Sequence, residues 1–223
     1  MNQAVLKGDS EDYYGGGRPE VLKFFTPGPR RILDVGCGSG NFGAGLKARL
    51  GAEVWGIEYQ AAVAERAHSR LDKVYAGDVM QLVDMLPPAH FDLIVFNDVL
   101  EHLADPYQLL VKIKRCMTPD GRIFCSIPNF LYFNALRTLL IHKDFKYEDS
   151  GIFDRTHLRF FTRKSIVRMF DELDYDLELI EGINPKRHWV FRLLNILLLN
   201  ALSESRYLQY ACVARPRVPV KTG

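Results

Sequence analysis

The chain is poor in the features that would fix its class at once. It has only four cysteines in 223 residues, Cys37, Cys116, Cys125 and Cys212, all far apart. With no C-x-x-C pair, neither a zinc site nor a disulfide framework is expected, and a reducing, cytoplasmic setting fits. It also lacks a charge excess. Lys plus Arg is 29 and Asp plus Glu is 27, leaving +2. A general nucleic-acid binder carries a larger basic surplus, so no stable nucleic-acid partner is expected. No hydrophobic run is long enough to span a bilayer. The most apolar stretch, residues 189–202, is interrupted by Arg192, Asn195 and Asn200. The first twelve residues carry Asp9, Glu11 and Asp12 and no apolar centre, so a signal peptide is not expected. Repeats and low-complexity tracts are absent. What remains, 48% hydrophobic and 25% charged residues, is the balance of one folded domain over residues 1–223.

Apolar runs and helical periods alternate. Residues 30–36 read as a buried strand stopped by glycine, and Phe42, Leu46 and Leu50 form one face of a following helix. Strands are expected at 53–59, 73–78, 91–97 and 121–127. Helices are expected at 61–71 and from about Pro106, the latter burying Leu109, Leu110, Ile113 and Met117. Such alternation predicts a parallel sheet with helices on both faces, which binds ligands at the carboxyl ends of its strands. After Asn129 the pattern breaks. Residues 130–164 read as a mixed-charge insert, a lid over a substrate. A helix follows near Ser165, capped by Thr162 or Ser165, with Ile166, Met169, Phe170 and Leu173 on one face. Strands are expected at 176–183 and 208–214, with an apolar helix at 189–202 between them and a frayed tail from Arg215. That helix either packs in the core, joins two copies of the chain, or meets a partner or membrane surface.

The run Asp34-Val-Gly-Cys-Gly-Ser-Gly40 sits directly after the first strand. Its glycines allow a sharp turn that brings ligand and backbone amides close. The spacing is G-x-G-x-G, not the dinucleotide fingerprint, and Asp34 is poor company for a pyrophosphate. An amine-bearing or cationic ligand suits it better. Glu58 ends the second strand, where a carboxylate can accept the two hydroxyls of a ribose, and Gly77-Asp78 ends the third.

These residues together resemble a class I S-adenosylmethionine-dependent methyltransferase. Ile32 to Gly40 is similar to that superfamily's nucleotide-binding motif, and Asn97 to Leu103 resembles the segment after the fourth strand in its small-molecule members. The resemblance covers roughly residues 30–129. It implies a Rossmann-like, mostly parallel seven-stranded sheet with the last strand antiparallel. It implies S-adenosyl-L-methionine as cofactor and S-adenosyl-L-homocysteine as product. The cofactor would be held by Asp34, Gly36, Cys37, Gly38, Gly40, Asn41, Phe42, Glu58, Tyr59, Gly77, Asp78, Val79, Asn97, Asp98 and Val99. Further on, Ile127 to Phe133 is similar to a methyltransferase-like family linked to methionine biosynthesis. Asp154 to Thr162 resembles a motif in bacterial methyltransferases of surface-polysaccharide assembly. In that group the leading segment, here residues 1–28 with Tyr13, Tyr14 and Arg18, covers the cofactor. The segment after the fourth strand lacks the Pro-Pro-aromatic tetrad of DNA amino-methyltransferases, and only Glu101 stands where arginine methyltransferases need two glutamates.

The expected activity is methyl transfer to a hydroxyl or amine of a small molecule or glycan, a sugar in polysaccharide assembly being the finer expectation. The alternative is an S-adenosylmethionine-binding accessory protein in methionine metabolism. Substrate contacts are expected from Tyr13, Tyr14, Arg18, His102, Asn129, Arg155, His157 and Arg159. Three residues are candidates for the base. Asp98 is either a base or a helix cap. His102 is either a base, its ordinary pKa near neutrality suiting the task, or a brace for a loop. His157 lies between Arg155 and Arg159, whose charges would keep it neutral, and is either a base or part of an anion-docking loop. No metal is expected, because the sulfonium already activates the methyl group and no acidic cluster demands a cation.

Overall fold

The computed structural model describes residues 18–26, 28–186 and 189–217. Tyr13, Tyr14 and most of the expected covering segment lie outside the described residues. Seven strands form one sheet: β1 (Arg31–Val35), β2 (Glu53–Glu58), β3 (Lys73–Ala76), β4 (Phe91–Asn97), β5 (Met117–Pro128), β6 (Tyr175–Pro185) and β7 (Tyr207–Pro216). Their order is β3-β2-β1-β4-β5-β7-β6. The first five run parallel. β7 inserts antiparallel between β5 and β6. The expected Rossmann-like sheet is therefore present, with the antiparallel last strand one place in from the edge.

The helices are α1 (Asn41–Leu50), α2 (Ala61–Ala67), the single turn α3 (Val79–Leu82), α4 (Pro106–Ile113), α5 (Phe133–Arg137), α6 (Arg163–Glu172) and α7 (Trp189–Leu197). The central strands are apolar on both faces because both are covered. Val35, Ile94 and Phe96 pack with α4 and α6 residues such as Leu110, Ile113, Met169 and Phe170. Ile32, Val54 and Val95 pack with Phe42 and Leu46 of α1 and Ala64 and Ala67 of α2. The strand order reverses direction between β1 and β4, whose carboxyl ends carry Asp34 and Asn97. That reversal opens a crevice between the loops that follow.

Several local expectations need correction. Met117 is buried, but it opens β5 instead of closing α4. Asp98 caps no helix; Val99 occupies the N-cap of the short turn 100–102 and has no side-chain cap bond. Residues 215–217 are not frayed, since β7 runs through Pro216 and Arg217 pairs with Asp171 and Asp176. The apolar helix ends at Leu197 and is not core along its length, with Trp189, Ile196 and Leu197 largely exposed. No helix among the described residues is long and apolar enough to cross a membrane.

Candidate active site

The glycine turn leaves β1 with Gly36, Gly38 and Gly40 all at positive φ, 72°, 55° and 81°. At Gly36 a second constraint is added, because a Cβ there would lie 2.5 Å from Cγ2 of Val99. The backbone thus passes under the loop that follows β4. Beneath the turn sits Asp34, 2% exposed, with Oδ2 buried and unpaired. Burial, then the neighbouring Glu58 charge, pushes its carboxyl up to about 7. Glu58 ends β2 and reaches back. It accepts from the Gly38 N–H at 3.0 Å and the Gln60 N–H at 2.9 Å. Burial raises its pKa, while those N–H donors oppose the shift. Cys37 packs over Gly56, and its thiol is pushed up by burial and by Asp34 and Glu58, so it is no nucleophile.

The other expected cofactor residues lie around the same crevice. Asn41 begins α1, while the Phe42 ring is buried against Phe25 at 5.7 Å and serves the core. Tyr59 is exposed and Val79 buried. Asp78 caps α3 by accepting from the Met80 N–H at 2.8 Å. Gly77 precedes it at φ 139°.

Beyond β4 the chain turns at Asp98, a non-glycine residue at φ 53°. Its carboxylate accepts from Arg18, from the Ser126 hydroxyl at 3.3 Å and from Gln209. Arg18 also donates to Glu20 at 2.7 Å, to the Ser126 hydroxyl at 3.1 Å and to Gln209 Oε1 at 3.2 Å. Burial raises the Asp98 pKa and Arg18 opposes that shift. An aspartate so paired acts first as an anchor for Arg18. Asn97 accepts weakly from Ser126 at 3.4 Å, and its Nδ2 is buried and unpaired.

The insert folds back onto this loop. The Glu101 carbonyl accepts from the N–H groups of Leu158 at 2.8 Å and Arg159 at 3.0 Å. The His102 and His157 rings meet edge-on, centroids 4.8 Å apart. The insert has its own small core of Ala135, Ile152 and Phe153 packed with Phe130 and Tyr132. Asn129 does not offer itself to a substrate. It is fully buried, donates to the carbonyls of Glu204 (3.0 Å) and Tyr207 (2.9 Å), and accepts from the Leu131 N–H. The arginines flanking His157 each have a partner of their own. Arg155 pairs with Asp149, and Arg159 donates to the Ala104 carbonyl.

Sequence reasoning missed Ser126, Gln209, Asp154 and Thr156. Ser126 was findable, since it lies near the carboxyl end of β5. Gln209 was not, because it reaches Asp98 only through the antiparallel placement of β7.

A methyltransferase domain family model matches residues 13–180. The chain belongs to that family. It is 34% identical over 141 residues to a probable S-adenosylmethionine-dependent methyltransferase of Mycolicibacterium smegmatis, covering 60% of this chain and 53% of the relative. It is 34% identical over 104 residues to a ubiquinone biosynthesis O-methyltransferase of Maricaulis maris, covering 44% and 41%. The chain thus spans about half the length, or less, of the curated relatives it matches. Among solved structures, a SAM-dependent methyltransferase from Archaeoglobus fulgidus superposes with a TM-score of 0.70 at 21% identity, covering 92% of this chain and 96% of that one.

S-adenosylmethionine is the cofactor this methyltransferase domain implies, and the residues present fit it. Asp34 holds an unpaired buried oxygen where a cationic amine would complete it. The turn above bears no Cβ at Gly36 or Gly38, and Glu58 lies within hydrogen-bond reach of that turn. A pyrophosphate would meet two carboxylates in the same place and be repelled.

Proposed function

We propose that this methyltransferase domain transfers the methyl group of S-adenosylmethionine to a hydroxyl of a small-molecule acceptor. The observation that carries the reading is the unpaired Asp34 oxygen under the glycine turn, beside the inward-turned Glu58. Asp34, Gly36, Gly38 and Glu58 bind and orient the cofactor. When bound, the cofactor supplies a methyl group already activated by its sulfonium. The work left to the chain is to hold the acceptor in line and keep water out. The acceptor side is formed by Asn97, His102 and the insert 130–164, which acts as a lid. His102 or His157 takes the acceptor's proton. Oxygen is favoured over nitrogen as acceptor by the relatives named as O-methyltransferases. A sugar hydroxyl in polysaccharide assembly is the finer proposal, supported by the likeness of Asp154 to Thr162 to that group. The four cysteines are all unpaired thiols, which supports a reducing compartment such as the cytoplasm. The exposed apolar face of α7 would join two copies of the chain, and equilibrium sedimentation of the wild type beside Leu197→Glu tests this.

The first test is a thermal-shift titration with S-adenosylmethionine and S-adenosylhomocysteine, beside Gly38→Arg and Glu58→Ala. Ligand at 100 times Kd adds about 2.7 kcal/mol. Both ligands should stabilise the wild type and neither variant. Acceptor screening with nucleotide sugars and phenols follows. Absence of any shift in the wild type overturns the reading. Binding without transfer to any acceptor turns it toward an accessory role.

A further inference from the structure

Glu101, His102 and His157 each present one ligand atom, and these atoms lie within 4.8 Å of one another. We propose that the three form a binding site for a divalent transition-metal ion beside the methyl-transfer crevice. The donor set, two imidazoles and one carboxylate, is the one that zinc and iron sites use when positions are left open for a substrate. Bonds of about 2.1 Å bring such ligands to roughly 3–3.5 Å from one another, so small side-chain rotations close the site.

The hydrogen bonds fix both rings in the tautomer a metal needs. His157 Nδ1 faces the Ile152 carbonyl at 3.3 Å, and His102 Nδ1 faces the Thr156 carbonyl at 3.2 Å. A carbonyl only accepts, so each Nδ1 carries its proton and donates it. The lone pair of each neutral ring is then on Nε2. A second contact agrees for His102. The Thr156 hydroxyl gives its proton to Asp154 at 2.7 Å and therefore accepts from His102 Nδ1 at 3.0 Å. Asp154, 2% exposed, holds this chain in place and also accepts from the Thr156 N–H. Ligating histidines are usually oriented by an outer partner of this kind. Glu101 is 1% exposed, and its own main chain fastens residues 158 and 159 to the loop after β4. The scaffold therefore brings together residues 56 positions apart in sequence.

Three protein ligands leave coordination positions open on the side where the acceptor enters. This part rests on the proposed methyl transfer. An acceptor with two adjacent oxygens, a vicinal diol or a catechol, would chelate the ion. Its O–H proton would leave to water, the oxygen keeping the electron pair that forms the new bond to carbon. The carbon–sulfur bond would break with its pair on sulfur. The ion lowers the pKa of the bound hydroxyl, so in the loaded site His102 and His157 would hold the metal, and the base role given to them above would apply to the metal-free site.

The test needs no acceptor. Full-length protein stripped with a chelator is titrated with Co²⁺, read by visible absorption, and with Zn²⁺, read by calorimetry. S-adenosylhomocysteine binding is measured on the same samples. One equivalent should bind. His102→Gln and His157→Gln should lose it while retaining S-adenosylhomocysteine binding, and Thr156→Val should weaken it about tenfold. The wild-type titration stands even if a variant misfolds. No stoichiometric binding by stripped wild type, or binding unchanged in the folded variants, overturns the metal site. Loss of S-adenosylhomocysteine binding in the wild type overturns the cofactor reading alone, and the metal titration still reads independently.

Discussion

At the residue scale, the two most informative positions are Asp34 and Gly36. Asp34 has its carboxyl raised from 3.8 to about 7 by burial and by Glu58. A folded-state pKa above the unfolded one means the folded protein binds the extra proton. The ligand-free protein is therefore favoured below pH about 4 at this group, and loses that contribution as pH rises through about 7. Asp34→Asn should flatten that slope, seen as a smaller difference between urea midpoints at pH 5 and pH 8. Cofactor binding has the opposite sign, since an ammonium group needs the carboxylate. Affinity for S-adenosylhomocysteine should rise from pH 6 to pH 8 in the wild type and stay flat in the variant. Parallel profiles would remove Asp34 from the amine's site.

Gly36→Ala isolates a steric claim. A Cβ at φ 72° is strained by about 1–2 kcal/mol, and the contact with Val99 Cγ2 adds to it. The substitution should lower stability by about 2–3 kcal/mol. Combining it with Val99→Ala should recover the steric part and leave the conformational part. If the double variant shows simple additivity, the close approach is not what keeps glycine there.

At the scale of elements, the parallel half of the fold was readable because its signals are local. Buried strands appear as apolar runs, and Asp34 to Gly40 punctuates the first of them. Boundaries were less legible. Met117 has helical spacing from Leu110 and Ile113 yet opens β5, because the strand extends further than its apolar stretch. The Glu101, His102 and His157 grouping was invisible, since nothing in the spacing shows that residues 154–159 return to β4. Asn129 misled for the same reason. Its position after β5 suggested a ligand contact, whereas its amide nitrogen is spent on the carbonyls of Glu204 and Tyr207 near the start of β7 and its oxygen on the Leu131 N–H. The start of α6 was legible. Thr162 and Ser165 form a reciprocal capping box, satisfying N–H groups that the helix leaves unpaired. Thr162→Ala should cost about 1 kcal/mol in chemical denaturation, with little change in cofactor affinity. A change below the error of the method would show that Ile166, Met169 and Phe170 position α6 without the cap.

At the scale of the whole molecule, one polar cluster joins four distant parts of the chain. Arg18 from the leading segment meets Asp98 after β4, Ser126 on β5 and Gln209 on β7. Both members of the Arg18–Asp98 pair are mostly buried, with 20% and 24% of their side chains exposed. A pair in that setting is weak evidence for net stabilisation, but removing one partner strands the other. Arg18→Gln should therefore cost about 1–3 kcal/mol, below the range for fully buried pairs because water still reaches the site. The pH dependence gives the signature. Without Arg18, burial and the Glu20 charge raise the Asp98 carboxyl further, and the Ser126 hydroxyl opposes them. Protonated at low pH, the stranded aspartate costs little; ionised at higher pH, it costs most. The stability lost by Arg18→Gln should grow from pH 5 to pH 8, and Arg18→Gln/Asp98→Asn should recover much of it. A small, pH-independent loss with additive variants would mean that the leading segment is held to the sheet by its apolar contacts, Val21 and Phe25 in the core, and that the arginine is incidental.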